Sequence, residues 1–165
     1  MISPSPMRID YFQLIDRIVE VDIAARTIRT EANVPQTSTI FEGHFPGHPI
    51  LPGVLLVEAM AQTSGWLVIA LTQFERMAFL ASVKEAKFRR FVSPGAQLSL
   101  SATLAHEGSG YAVAVANGSA DGQSVCDAQI TLRVAEFPNP DLRCYMEDMA
   151  KRLAFPLPIG ARTNG

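Results

Sequence analysis

Apolar and polar positions alternate through much of the second half of this chain. Leu98, Leu100, Ala102 and Leu104 are separated by Ser99, Ser101 and Thr103, and Ala128, Ile130, Leu132 and Val134 by Gln129, Thr131 and Arg133. This period of two is what a half-buried strand requires. Between these segments Tyr111, Val113 and Val115 alternate with alanines, while Gly108-Ser109-Gly110 and Asp121-Gly122 supply tight turns, so the run reads as an antiparallel meander. Residues 78 to 88 begin with an apolar run and read as a further strand. Near the start, YFQLIDRIVEVD reads as a short helical turn followed by a strand, with Thr27 to Asn33 as the second arm of a hairpin. Residues 35 to 52, rich in Pro, Gly, Ser and Thr, read as a long ordered loop rather than an element, and such loops are often functional.

From Gly53 to about Phe74 the pattern changes. No strong breaker interrupts the segment, Pro52 stands where a first helical turn tolerates proline, and apolar residues occupy nearly every face, as in a buried central helix. After Phe137, Asn139 can cap a helix with Pro140 at its first position, and Leu142, Tyr145, Met146, Met149 and Leu153 form one apolar stripe that should dock on the domain or on a partner; residues 160 to 165 should fray. The expected architecture is α+β, an antiparallel sheet wrapped around one long central helix, with residues 1–137 as the folded domain and 138–165 as a helical tail that is not a separate domain.

Composition narrows the setting. With 48% hydrophobic and 18% charged positions over 165 residues, the chain suits one domain with a substantial core and is too apolar to be disordered. The start MISPSPMRIDY lacks the basic and then apolar pattern of a signal peptide, and Glu58, Gln62, Thr63 and Ser64 interrupt the longest apolar stretch, so no membrane span and a cytoplasmic location are expected. A net charge of -2 argues against a general nucleic-acid binder. Cys126 and Cys144 lack metal or redox spacing, the histidines lack zinc spacing, and no nucleotide-binding glycine motif occurs, so neither a metal nor a nucleotide cofactor is expected.

The stretch GHFPGHPILPGVLLVEAMAQ, residues 43 to 62, raises a chemical question. It sets Glu58 among Val54, Leu55, Leu56, Val57 and Met60, and a buried carboxylate is costly unless its pKa moves or a partner satisfies it. Gln62, one helical turn beyond Glu58, can orient the carboxyl group. Pro46, Pro49 and Pro52 restrict the loop that carries His44. His48 either lines the same entrance or is a bystander, and His106 reads as an ordinary surface or core histidine.

The run FEGHFPGHPILPGVLLVEAMAQTSG resembles the signature of the 3-hydroxyacyl-[acyl-carrier-protein] dehydratases of the FabZ type, a hot-dog fold family, and SVKEAKFRRFVSPGAQLSL and GSGYAVAVANGSADGQSVCDAQITLRV are similar to its later strands. The resemblance covers roughly residues 10 to 135. Dehydrating a 3-hydroxyacyl thioester requires a base for the C2 proton, an acid for the departing hydroxyl and a donor for the developing enolate oxygen. The resemblance assigns these to His44, to Glu58 as acid or water-holder, and to the Gly53 backbone amide at a helix N-terminus. Desolvation in an apolar helix would raise the pKa of Glu58, and a glycine at position 53 would let substrate approach the backbone. Glu rather than Asp at position 58 resembles the branch that dehydrates without isomerising. Trp66, Leu67, Val68 and Ile69 read as core, with one side able to line an acyl tunnel.

The resemblance further implies an acyl carrier protein as partner, the substrate riding on its phosphopantetheine arm with no other cofactor. Lys84, Lys87, Arg89 and Arg90 are the candidate dock for that acidic partner, although strand alternation would put Lys87 and Arg89 on one face and Lys84 and Arg90 on the other. It implies a homodimer with His44 of one subunit facing Glu58 of the other, and a trimer of dimers as the larger assembly. Two features depart from the family pattern: TQFERMAFLASV is a shorter connection, leaving the gating aromatic without a clear counterpart, and the tail after Phe137 is additional. Both bear on acyl length and partner choice. Two rival readings stand beside the dehydratase, an acyl thioesterase and a non-catalytic acyl-ACP-binding hot-dog subunit.

Overall fold

The structure, a computed structural model, describes residues 7–159, so the fraying expected of 160–165 falls outside it. The alternating segments become β1 (Arg17–Asp22), β2 (Thr27–Asn33), β3 (Met77–Phe88), β4 (Gln97–Gly108), β5 (Tyr111–Ala120) and β6 (Gln123–Ala135). They form one six-stranded sheet in the order β1-β2-β4-β5-β6-β3, antiparallel at every pairing. Three helices accompany it: α1 (Thr39–Gly43), α2 (Gly53–Leu71) and α3 (Pro140–Arg152).

The sheet wraps α2, most of whose residues are buried. By length and composition α2 could cross a membrane, but 72% of its apolar window is buried within the fold, as in a core helix. On β5 the alanines point inward: Ala112, Ala114 and Ala116 are buried while Val115 is exposed. Small side chains there let the sheet approach the helix closely, and the larger residues of β4 and β6, Leu98, Leu100, Ile130 and Leu132, fill the space on either side. One polar link crosses this core. The fully buried Thr63 hydroxyl donates to the Ala59 carbonyl, which leaves the buried Thr30 hydroxyl on β2 as donor to Thr63 at 2.9 Å.

Three expectations are corrected. Residues 35–52 are not all loop, because Ser38 caps α1 through a hydrogen bond from the Ile40 N–H at 3.3 Å. The central helix stops at Leu71 rather than near Phe74, because Gln73 and Phe74 both take positive φ. A bulge in β3 breaks strict alternation: Lys84 pairs with Gln129 and Lys87 with Asp127, so these two lysines share a face instead of opposing one another.

Candidate active site

The loop before α2 is closed by its own backbone. The Ile50 N–H donates to the His44 carbonyl at 3.0 Å, and Phe45 and His48 exchange hydrogen bonds of 3.0 and 2.9 Å. This anchors the His44 ring, which stacks on Phe45 with centroids 4.0 Å apart and places Nδ1 3.2 Å from the Ile50 carbonyl. A carbonyl only accepts, so the contact selects the tautomer with hydrogen on Nδ1 and leaves the lone pair on Nε2. His48 is exposed, with its ring edge-on to Phe91. His106 is also exposed, on β4.

Pro52 precedes α2, and the N–H groups of Leu55 and Leu56 return to its carbonyl. The N–H groups of Gly53 and Val54 have no acceptor among the described residues and stand at the positive end of the helix. Access to them is less open than the bare glycine implies. A Cβ at Gly53 would lie 3.2 Å from the ring of Phe88, a half-exposed residue at the end of β3.

Glu58 is neither fully buried nor unpaired: it is partly exposed, on the wall of a cavity of about 330 Å³ between α2 and β3, and it accepts a hydrogen bond from Gln62 Nε2 at 3.1 Å. The Gln62 amide is fixed by two further contacts. Its Oε1 accepts the Leu14 N–H at 3.1 Å and its Nε2 donates to the Phe12 carbonyl at 2.6 Å. Reversing the amide would lose both, so Gln62 always presents an N–H to Glu58. From this polar end the cavity runs along Ala61, Gly65, Trp66 and Ile69 of α2, with Met77 to Leu80 of β3 opposite.

Within one chain the structure does not unite the candidate residues. Glu58 and Gln62 line the cavity; His44 and Gly53 do not. Lys84, Lys87, Arg89 and Arg90 are all exposed, and Arg89 is tied to Asp127 in an ion pair. Cys126 is buried and its thiol is pushed up to about 11, by burial first and the neighbouring Asp127 charge second, against a backbone hydrogen bond from Gly118, so it stays protonated.

Three contributors are not assigned to the site by the sequence. The turn at Tyr11–Gln13 both lines the cavity and holds Gln62, Phe88 covers Gly53, and α3 forms part of the cavity wall. The sequence signals are the helical turn near Tyr11, the aromatic Phe88 and the docking stripe of the C-terminal helix, none of which names this cavity.

The sheet order and central helix define a hot-dog fold. A solved structure described as a hypothetical thioesterase with coenzyme A, from Streptococcus pneumoniae TIGR4, matches with a TM-score of 0.58 at 18% identity, over 74% of this chain and 88% of that one. The Escherichia coli PaaI protein from the phenylacetic acid degradation operon matches at 0.56 and 15% identity, over 70% and 76%. At these identities both speak for the fold alone. Sequence comparison is more specific. A family model described as a FabA-like domain matches residues 7–129. A protein named 3-hydroxyacyl-[acyl-carrier-protein] dehydratase FabZ from Latilactobacillus sakei is 42% identical over 119 residues, covering 72% of this chain and 84% of that protein. One of the same name from Listeria welshimeri is 36% identical over 131 residues, covering 77% and 88%. The chain belongs to the FabA-like family.

Proposed function

We propose that this protein is a 3-hydroxyacyl-ACP dehydratase of fatty acid synthesis, acting in the cytoplasm. It removes the C2 proton and the C3 hydroxyl of a (3R)-3-hydroxyacyl-ACP as water and leaves the trans-2-enoyl-ACP. The observation that carries this reading is the head of the cavity, where Glu58 and its fixed partner Gln62 stand at one end of a mostly apolar space. The dehydratase names borne by its relatives point the same way.

In this reading the His44 Nε2 lone pair takes the C2 proton, Glu58 supplies a proton to the leaving hydroxyl or holds the water formed, and the Gly53 N–H receives the thioester oxygen once Phe88 moves aside. The elimination is redox-neutral, so no cofactor is required beyond the phosphopantetheine that carries the substrate. Exposed Lys84, Lys87 and Arg90 would attract an acidic carrier protein, while the Arg89 charge is already engaged by Asp127.

The site is completed by a second copy. Among the described residues the outer edge of β3 has no partner strand, and it carries exposed Phe79, Leu80 and Phe88. Joining two such edges would extend the sheet, cover these side chains and bring the partner subunit's His44 to the Glu58 cavity. Three such dimers can assemble further.

The test follows the absorbance of the conjugated enoyl thioester with 3-hydroxyacyl-ACPs of several lengths. Wild type should turn over, and His44→Ala should lose at least ~100-fold, as removal of a general base requires. Release of free thiol instead would identify a thioesterase. Binding of acyl-ACP with neither product would identify a binding subunit.

A further inference from the structure

The α3 helix lies outside the family match, which ends at residue 129, yet it lines the same cavity as Glu58. Its contributions, Tyr145, Met146 and Met149 with Leu153 at its C-cap, belong to the apolar stripe of this segment. The contacts of this segment set it beside the C-terminal half of α2. Arg143 near the start of α3 pairs with Glu75, just beyond the end of α2, and Phe155 just after α3 packs near Trp66 and Phe74, with ring centroids 6.4 and 5.3 Å away. The helix is also tied to the sheet by the Ile18 N–H, which donates to the Leu153 carbonyl at 2.7 Å. A segment held at both ends in this way is a wall rather than a loose tail.

The wall has a measurable consequence. From Glu58 to Ile69, α2 advances about 16 Å at about 1.5 Å per residue. An extended hydrocarbon zigzag advances about 1.25 Å per carbon, given bonds near 1.5 Å and angles near 111°. The cavity wall that α2 forms from Glu58 to Ile69 therefore matches about a dozen carbons in length. At Gly65 the helix comes close to β3, since a Cβ there would already be in van der Waals contact with Ala78, at 4.0 Å, so a chain runs beside this contact rather than between the two residues.

We infer that α3 is the end wall of the acyl site and that Met146, partly buried on its cavity side, sets the longest acyl chain accepted. This rests on the dehydratase reading for the identity of the occupant. Met146 is a specificity determinant, not a catalytic residue. Its unbranched side chain can yield to some extent, so the limit is a graded one.

Two readouts keep this inference separable from the reaction. The first is the dependence of kcat/KM on acyl length, for chains of about four to about sixteen carbons. Met146→Ala should move the upper limit to longer chains. Met146→Phe should lower the longest accepted chain by about tenfold relative to the short ones, the effect of a methylene-sized misfit in an apolar pocket. The second uses Trp66, the single tryptophan, as a reporter. Acyl-pantetheine thioesters brominated at the terminal carbon should quench its fluorescence only once the chain is long enough to reach it, whether or not turnover follows.

Quenching that rises with length, together with opposite shifts in the two variants, supports the wall. Quenching without any enoyl product would sink the dehydratase reading and leave the wall standing. Absence of quenching at every length, or length profiles unchanged in both folded variants, overturns the wall even if wild type is an active dehydratase.

Discussion

Asp16 stands between the turn that holds Gln62 and the first strand, and its carboxylate accepts the Asn33 N–H at 2.7 Å. Burial raises its pKa from 3.8 to about 6, against the opposing effect of that hydrogen bond. The folded chain thus holds a proton at Asp16 that the unfolded chain has already released between pH 3.8 and about 6. The resulting contribution to stability is fully present below the lower value and is lost as pH rises through the upper one. Asp16→Asn should remove this contribution and flatten the acid-side dependence of stability across that window. Urea denaturation midpoints measured at steps through it provide the check, and an unchanged slope would place the linkage on other groups. The neighbouring Gln62 shows why a side chain's role was only partly legible at this scale. Its spacing from Glu58 is local and readable, whereas its contacts with Phe12 and Leu14 depend on chain segments that meet only in the fold.

Between elements, tolerance is set by how tightly the strands pack. Gly118 on β5 faces Cys126 on β6 and Leu100 on β4, and a Cβ there would lie 2.8 Å from the Cys126 sulfur and 3.0 Å from Leu100 Cδ2. Gly118→Ala should cost about 1–3 kcal/mol, as overpacking a filled core does. Adding Cys126→Ala should restore part of that loss, because the two sites share the same volume. Equilibrium unfolding of the two single variants and the double variant measures the coupling. This packing also explains which element features were readable. The alternation of β4 and β6 and the continuous apolar surface of α2 are periodic signals, and they identified the meander and its buried helix. The inward alanines of β5 follow from the closeness of α2, and the bulge that puts Lys84 and Lys87 on one face follows from backbone geometry near Glu85, where φ is positive. The β5 alternation is visible but does not say that the alanine face turns inward, the bulge leaves no periodic trace, and α1 is too short to show one.

For the molecule as a whole, the proposed chemistry depends on what a single chain lacks. The motif proposes His44 and Glu58 as a pair, yet the cavity of one chain is lined by only the second, and the proposed pairing at the β3 edge would let another copy supply the first. A shared site makes a sharp prediction about mixtures. Alone, a His44→Ala dimer and a Glu58→Gln dimer each carry two damaged sites. In a mixed dimer one site combines both lesions, while the other combines the intact His44 of one chain with the intact Glu58 of the other. Random pairing of equal amounts makes about half of the dimers mixed, with one of two sites working, so activity should return to about a quarter of wild type. Refolding the two variants together, with each refolded alone as control, measures this directly. If His44 and Glu58 instead acted within the same chain, every chain in the mixture would carry a lesion, and co-refolding would restore nothing beyond the sum of the controls.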